Sequence, residues 1–323
     1  MKEKLFRIIK NFENKKILVI GDIMLDKYIW GDVSRISPEA PVQIVNVKNE
    51  TYSAGGAGNT ANNISSLGGK AFIVGLVGMD STKKIIISKL KEKNIVTDGI
   101  IVDKDRPTIL KVRVMAQSQQ LLRVDYENKD YLDGAYENLI LEYIKKNIGA
   151  FNAVVISDYS KGIITEGIMA AIKEIMKDKK IPLIVDPKPK HKEFYKNSSL
   201  ITPNAKEACS MADCEEDEAK INEVGKKLIN ELNSTILITR GEKGMTLFEK
   251  NGLITNIPTK AKEVYDVSGA GDTVVAALSL ALASGATMKE AAIIANYAAG
   301  IVVGKIGTSS VSIEELKGSI ENE

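Results

Sequence analysis

Cysteine and histidine are nearly absent from this 323-residue chain, which has two cysteines, Cys209 and Cys214, and one histidine, His191. Two thiols cannot build a disulfide framework, and a single imidazole cannot complete a Cys/His zinc cluster. The pair reads as free thiols of a reducing cytosol. No apolar run approaches the about 18 unbroken residues of a membrane span. The longest stretch, Thr273 to Ala283, reads as a buried helix. The N-terminal MKEKLFRIIKNFENKK lacks the continuous apolar core of a leader, because Arg7, Lys10 and Asn11 interrupt it, and it reads as an amphipathic helix. Charge of one sign is lacking too. The chain has 44 basic against 42 acidic side chains, a net +2, which gives no electrostatic reason to expect nucleic acid or a membrane as partner. These absences point to a cytoplasmic protein, and a local basic patch in a pocket stays open, because net charge says nothing about distribution.

What is present is the composition of a folded α/β chain, 44% hydrophobic and 27% charged. Runs rich in Ile and Val occur at Ile17–Gly21, Ala71–Val77, Ala153–Ser157, Leu183–Asp186, Ser199–Thr202 and Thr235–Thr239. They do not alternate with polar residues, as expected of parallel strands covered on both faces. Helical patterns lie between them, near 58–67, 82–93, 135–148, 166–178 and 217–232, and two more, 271–284 and 288–303, close the chain. This βα rhythm predicts a doubly wound, mostly parallel sheet flanked by helices, in one domain over 1–323. Two stretches break the rhythm. Residues 28–48 and 107–126 alternate apolar and polar residues with no helix between their strands, which predicts a small antiparallel β lid. The plainer reading is a pair of structural arms or a dimer contact, and one sheet can serve both ends. A further hairpin pattern, MTLFEKNGLITNIPT, follows Gly244.

The strongest chemical signal is Asp266-Val267-Ser268-Gly269-Ala270-Gly271-Asp272, followed by an apolar helix ending near Gly285. Small residues let backbone N–H groups converge at a helix N-terminus, where the dipole favours an anion. That suits a phosphoryl group in flight, and a carboxylate beside it, Asp272, can take a proton from an attacking hydroxyl. The bland alternative is that Asp272 only caps the helix.

This segment resembles the C-terminal signature of the ribokinase-like, or PfkB-type, carbohydrate kinases, D-[ST]-x-G-A-G-D, with Val267 a mild departure at the second position. The resemblance spans nearly the whole chain. It implies Asp272 as catalytic base, with the backbone of Gly269, Ala270 and Gly271 as the anion hole. Gly55-Gly56-Ala57-Gly58-Asn59-Thr60-Ala61-Asn62-Asn63 looks like the family's N-terminal signature, in which the glycines admit the sugar and Asn59 reaches its hydroxyls. Taken alone it could be a flexible turn before a capped helix. In Gly21-Asp22-Ile23-Met24-Leu25-Asp26, Asp26 is the candidate sugar ligand. The stretch Asn204-Ala205-Lys206-Glu207 resembles the family's N-x-x-E element beside the nucleotide, with Glu207 holding Mg²⁺ through water. Asn204 as N-cap and Glu207 as its capping-box partner is a compatible local reading. Thr239, Arg240, Gly241 and Gly244 match the strand-end turn beside the nucleotide. Asp266 belongs to the same binding set, and Asn296 falls where the adenine pocket lies. ATP and Mg²⁺ are the implied cofactors, with a monovalent cation as a further candidate.

Within the family, GDIMLDKYIWGDVSRISPEAPVQIV and QQLLRVDYE look like the kinases of D-glycero-β-D-manno-heptose 7-phosphate, which phosphorylate O1 on the route to ADP-heptose. In other bacteria such a kinase is often the N-terminal half of a bifunctional kinase/adenylyltransferase. One histidine cannot supply the H-x-G-H element of the second activity, so a separate protein is expected to perform it. Arg35, Arg113, Arg123, Lys161 and Lys188 are candidates to hold the acceptor's existing phosphate, and Gln120 could reach the sugar from the lid. For each cation a solvated surface charge is the plainer alternative. The family commonly dimerises through such a lid, so a homodimer is implied. Rival readings are another sugar kinase of the ribokinase or fructokinase kind, and a non-catalytic sugar or nucleotide sensor on the same scaffold. An oxidoreductase would need G-x-G-x-x-G after the first strand, where GDIMLD stands instead.

Overall fold

The computed structural model describes residues 1–116, 119–261, 263–305 and 309–322. Residues 117 and 118, inside the expected second lid arm, lie outside the described residues. In chain order the elements are α1 (Lys2–Lys10), β1 (Lys16–Gly21), β2 (Ile23–Ile36), β3 (Gln43–Gly56), α2 (Ala57–Ser66), β4 (Lys70–Gly78), α3 (Ser81–Glu92), β5 (Val96–Asp103), β6 (Ile109–Ala116), β7 (Gln119–Tyr126) and α4 (Gly134–Asn147). Then follow β8 (Ala153–Ser157), α5 (Glu166–Met176), β9 (Leu183–Asp186), β10 (Leu200–Ile201), α6 (Ala205–Met211), α7 (Ile221–Leu232), β11 (Thr235–Thr239), β12 (Met245–Phe248), β13 (Ile254–Ile257), α8 (Ala270–Ala283), α9 (Met288–Val302) and α10 (Ile313–Glu321).

The main sheet has the order β13-β12-β11-β10-β9-β8-β1-β4-β5. It is parallel except for the β12–β13 hairpin at one edge. Its strands read as unbroken apolar runs because both faces are covered. Ile17 and Val19 of β1 pack with α1, α2, α8 and α9, while Leu18 and Ile20 of the same strand pack with α4, α5 and α7. Strand order reverses at β1, whose neighbours are β8 and β4. In an open α/β sheet that switch point opens a crevice beyond the carboxyl ends of the strands. Among the described residues no helix is long and apolar enough to cross a membrane.

The second sheet has the order β3-β2-β6-β7. It is the expected small antiparallel sheet, made of the hairpins β2–β3 and β6–β7, with one parallel contact between β2 and β6 joining them. The reason lies in the main sheet. β1 and β5 run parallel and end at the same edge, so β2 and β6, which continue them, leave in the same direction. The first arm is also longer than 28–48, since β2 begins at Ile23 and β3 runs to Gly56. Two elements escape sequence patterning. β5, VTDGIIVD, is an edge strand whose polar start hides it, and α10, IEELKGSIE, buries only Leu316 and Ile320.

Candidate active site

Gly269 opens α8 with a left-handed backbone, φ +78°, a conformation glycine adopts without strain. The following turn puts Asp272 at the third helical position, where it is 4% exposed. Three side chains bind its carboxylate. Asn59 Nδ2 donates to Oδ2 at 2.7 Å, Thr60 Oγ1 to Oδ1 at 2.7 Å and the Tyr159 hydroxyl to Oδ1 at 3.1 Å. Burial pushes the Asp272 carboxyl above the ordinary aspartate range, with the charge of Asp26 adding to it, while the three donors work against the rise. Asp272 is therefore not an N-cap: Gly269 holds that position, and the carboxylate faces a cleft.

That cleft is a cavity of about 160 Å³ lined by Tyr159, Asp186, Lys188, Asn204, Glu207, Gly269, Gly271 and Asp272, among others. The ends of β9, β10 and β11 bring Asp186, Asn204 and Thr239 to it, as the switch-point rule requires. Asn204 caps α6 by accepting from the Glu207 amide at 2.8 Å, and Glu207 Oε2 accepts from the Asn204 amide at 3.1 Å, a full capping box. Glu207 Oε1 meanwhile takes the Lys188 ammonium at 2.5 Å. Burial opposes the charge on Lys188, but Glu207 outweighs it and holds the amine above the ordinary lysine range. Asp186 is pushed well up by burial and by the nearby charges of Asp272 and Glu207.

A second pocket, about 460 Å³, adjoins the first through Thr239 and Gly271. Its walls are mostly apolar, with Met245, Val264, Val267, Ala299 and Val303, and the turn Gly241 and Gly244 borders it. Asn296 lines it and donates to the Pro258 carbonyl at 2.7 Å.

On the lid side, Asp26 is 4% exposed and accepts from Arg113 Nη1 at 2.5 Å. Gly55 lies on the neighbouring strand β3, opposite Met24, and a Cβ there would stand 2.3 Å from Asp26 Oδ2. Gly56 follows with φ +56° and leads the chain into α2, which carries Asn59.

Most sequence candidates thus converge, and several land elsewhere. Lys188 lies with Glu207 and Asn204 in the cavity at the first turn of α8, away from the lid strands. The Ala270 amide is bonded to the Val267 carbonyl at 3.2 Å, and Ala270 lines the apolar pocket, so Gly269 and Gly271 are the members of that trio at the cavity. Arg240 Nε donates to Glu218 at 2.6 Å and Nη1 to Thr246 at 2.9 Å, which turns the guanidinium away from both cavities. Asp266 accepts from the Ser268 amide at 2.8 Å and so shapes its own turn. Ala205 and Lys206 are the first residues of α6. Gln120 and Arg35 are exposed on the lid, and Arg123 pairs with Asp125 at 3.0 Å. Lys161 pairs with Glu127 at 2.8 Å.

Sequence reasoning missed Thr60, Tyr159 and Asp186. Thr60 follows Asn59 directly, and Tyr159 and Asp186 each stand two residues before a candidate lysine, Lys161 and Lys188. Asp22, in GDIMLD, turns out to be scaffold. Its carboxylate accepts from the amides of Tyr159, Lys161 and Ile163 at 2.8, 3.2 and 3.3 Å, and so fixes the loop that carries Tyr159. Burial, then Asp158, raises its carboxyl to about 6.

Comparison with known proteins shows the family to which the chain belongs. Residues 14–316 match the model of the pfkB family of carbohydrate kinases. The chain is 45% identical over 305 residues to the bifunctional protein HldE of Geobacter metallireducens, covering 94% of this chain and 62% of that protein. It is 44% identical over 310 residues to the protein of the same name from Klebsiella pneumoniae, covering 96% and 64%. It therefore spans less than two thirds of the length of these relatives. Among solved structures, a ribokinase from Thermotoga maritima matches with a TM-score of 0.75 at 21% identity, covering 95% of this chain and 100% of that one. Phosphofructokinase-2 from Escherichia coli, in complex with potassium, matches at 0.76 and 18% identity, covering 95% and 98%.

Proposed function

The chain belongs to the pfkB family of carbohydrate kinases, and on that premise we propose that it transfers the γ-phosphoryl group of ATP to O1 of D-glycero-β-D-manno-heptose 7-phosphate, giving the 1,7-bisphosphate. That it is a sugar kinase follows from its family. The heptose phosphate acceptor rests on the motif resemblance at GDIMLDKYIWGDVSRISPEAPVQIV and QQLLRVDYE and on the extent of identity to the HldE proteins. The observation that carries the mechanism is the buried Asp272 carboxylate at the mouth of α8, in the same cavity as Asn204, Glu207 and Lys188.

Asp26 and the Gly55–Gly56 backbone hold the sugar, leaving its O1 hydroxyl facing Asp272. Asn59, Thr60 and Tyr159 fix the orientation of the Asp272 carboxylate, which accepts the hydroxyl proton as O1 attacks. The first turn of α8, with N–H groups that have no intrahelical acceptor, stabilises charge on the transferring group. The apolar pocket around Ala299 and Val303 suits the adenine. Mg²⁺, when bound with ATP, supplies charge neutralisation across the phosphates. Glu207 and Asp186 are the residues that would hold its water. Both line the cavity, and carboxylate oxygens suit an ion that keeps several waters and leans on phosphate oxygens.

ADP release measured over a panel of sugars and sugar phosphates tests the assignment. The heptose 7-phosphate is expected to give the highest kcat/KM, and activity is expected to vanish with EDTA and return with Mg²⁺. Preference for an unphosphorylated hexose or pentose would overturn the acceptor, and turnover indifferent to chelation would remove the metal.

Tyr159→Phe gives a finer test. The lost hydroxyl stabilised the ionised form of Asp272, and the base works only when ionised. The acidic limb of the kcat/KM profile should therefore move to higher pH, with a loss of about tenfold or less at neutral pH. An unmoved limb would take Tyr159 out of the base's environment.

The homodimer belongs to the same proposal. β7 is the edge of the lid sheet, and Leu122 and Tyr126 on one of its faces are 56% and 54% exposed. A second copy would cover both. Light scattering should give twice the chain mass, and Leu122→Glu should give the single mass. A wild-type monomer at assay concentration would rule the dimer out.

A further inference from the structure

Glu127, directly after β7, holds its carboxylate among three lysines. Lys161 Nζ approaches at 2.8 Å, Lys129 at 3.1 Å and Lys111 at 3.3 Å. Lys129, 65% exposed, is the outermost of the three. Glu127, Lys111 and Lys161 are 10%, 12% and 15% exposed, so this is a built site and not a surface encounter. Burial alone would raise the Glu127 carboxyl, but the bonds from Lys161 and Lys129 and the charge of Lys111 hold it down at about 2.

The cluster borders the acceptor site on two sides. Lys111 stands opposite Asp26 in the β2–β6 register. Lys161 lies two residues beyond Tyr159, whose hydroxyl touches Asp272. Lys111 also meets Asp125 at 3.1 Å, which Arg123 holds. Three lysines thus face one carboxylate, and a phosphomonoester, which carries roughly −1.5 to −2 near pH 7, is an anion that such a local surplus of positive charge suits.

We propose that Glu127 is a place-holder: its carboxylate occupies, between Lys111 and Lys161, the site that takes the phosphate a sugar-phosphate acceptor already carries, and it withdraws when that phosphate arrives. The inference rests on the sugar-phosphate reading above and adds to it a site and a means of discrimination. Two part-buried ammonium groups facing each other with no anion between them would be costly, so a resident carboxylate stabilises the empty enzyme. A phosphate brings more charge and more acceptor oxygens than the carboxylate it displaces. A sugar without phosphate displaces nothing and gains nothing from the lysines.

The test uses the full chain, with ADP release measured for heptose 7-phosphate and for the same sugar without phosphate. Lys161→Gln removes one charge-assisted contact and should raise KM for the phosphorylated acceptor about 10- to 100-fold, with KM for the unphosphorylated sugar changed about threefold or less. Glu127→Gln should lower KM for the phosphorylated acceptor and strengthen inhibition by inorganic phosphate competing with it. If Lys161→Gln affects both acceptors equally, or Glu127→Gln raises KM for the phosphorylated one, the place-holder is wrong although the sugar-phosphate reading stands. If the wild type itself prefers the unphosphorylated sugar, that reading fails before any variant is compared. Should Glu127→Gln prove too unstable to assay, Lys161→Gln decides alone.

Discussion

Asp272→Asn should fold, bind MgATP with near-native affinity and lose kcat by about 10²- to 10⁴-fold, the range for removing a general base. Asparagine keeps the volume of the side chain and one carbonyl acceptor, so α8 and its packing have no reason to move. It cannot take a proton from an alcohol at neutral pH. It also turns an NH₂ toward one of the donors Asn59, Thr60 and Tyr159, so part of the loss will be misorientation. Asp272→Ala separates the two effects, since it removes both the proton acceptor and the mismatched amide. Steady-state kinetics with both variants, alongside calorimetric titration of MgATP, is the measurement. Near-native turnover in the asparagine variant would remove Asp272 from the chemistry. In the wild type, the raised Asp272 carboxyl predicts an acidic limb of kcat/KM above the ordinary aspartate range, because activity needs the ionised form and burial delays its formation.

The parallel core was legible because strands buried on both faces leave no ambiguity of period. β1, β4, β8, β9 and β11 each match an apolar run to within a residue or so. What was not legible depends on contacts distant in sequence. The parallel pairing of β2 with β6 follows from where β1 and β5 end, and β5 itself was hidden by its polar start. The chemistry divides in the same way. Asp272, Asn59, Asn204 and Glu207 stand in motifs with a local signature, a small-residue turn at a helix N-terminus, a glycine-rich helix start and a capping box, and the structure gathers them. The second role of Glu207 as partner of Lys188 joins β9 to α6, and the part of Tyr159 joins the loop after β8 to α8. Neither pairing has a local signature. Arg240 is a third such case, a residue of the strand-end turn whose guanidinium binds Glu218, a half-buried neighbour 22 positions earlier.

Gly55→Ala should cripple acceptor use while sparing the nucleotide. A Cβ at residue 55 would lie 2.3 Å from Asp26 Oδ2 and 2.9 Å from Met24 Cγ, closer than real Cβ contacts come. Neither neighbour can shift freely, because the Met24 contact is at Cγ of a buried side chain and Arg113 holds Asp26 at 2.5 Å by its other oxygen. Either the carboxylate turns away from the sugar or it leaves its rotamer. Losing one or two charge-assisted hydrogen bonds and straining one side chain costs about 2–4 kcal/mol, which is about 30- to 10³-fold in kcat/KM for the acceptor. The KM for MgATP should stay within about twofold, because Asn204, Thr239 and Asn296 lie on other elements and additivity holds for distant sites. Asp26→Ala should lose a similar amount with Gly55 intact, and the double variant should lose little more than either alone, since both act through one carboxylate. Acceptor kinetics within about threefold of wild type in Gly55→Ala would mean that Asp26 does not touch the sugar, and the lid would then serve only to cover the site.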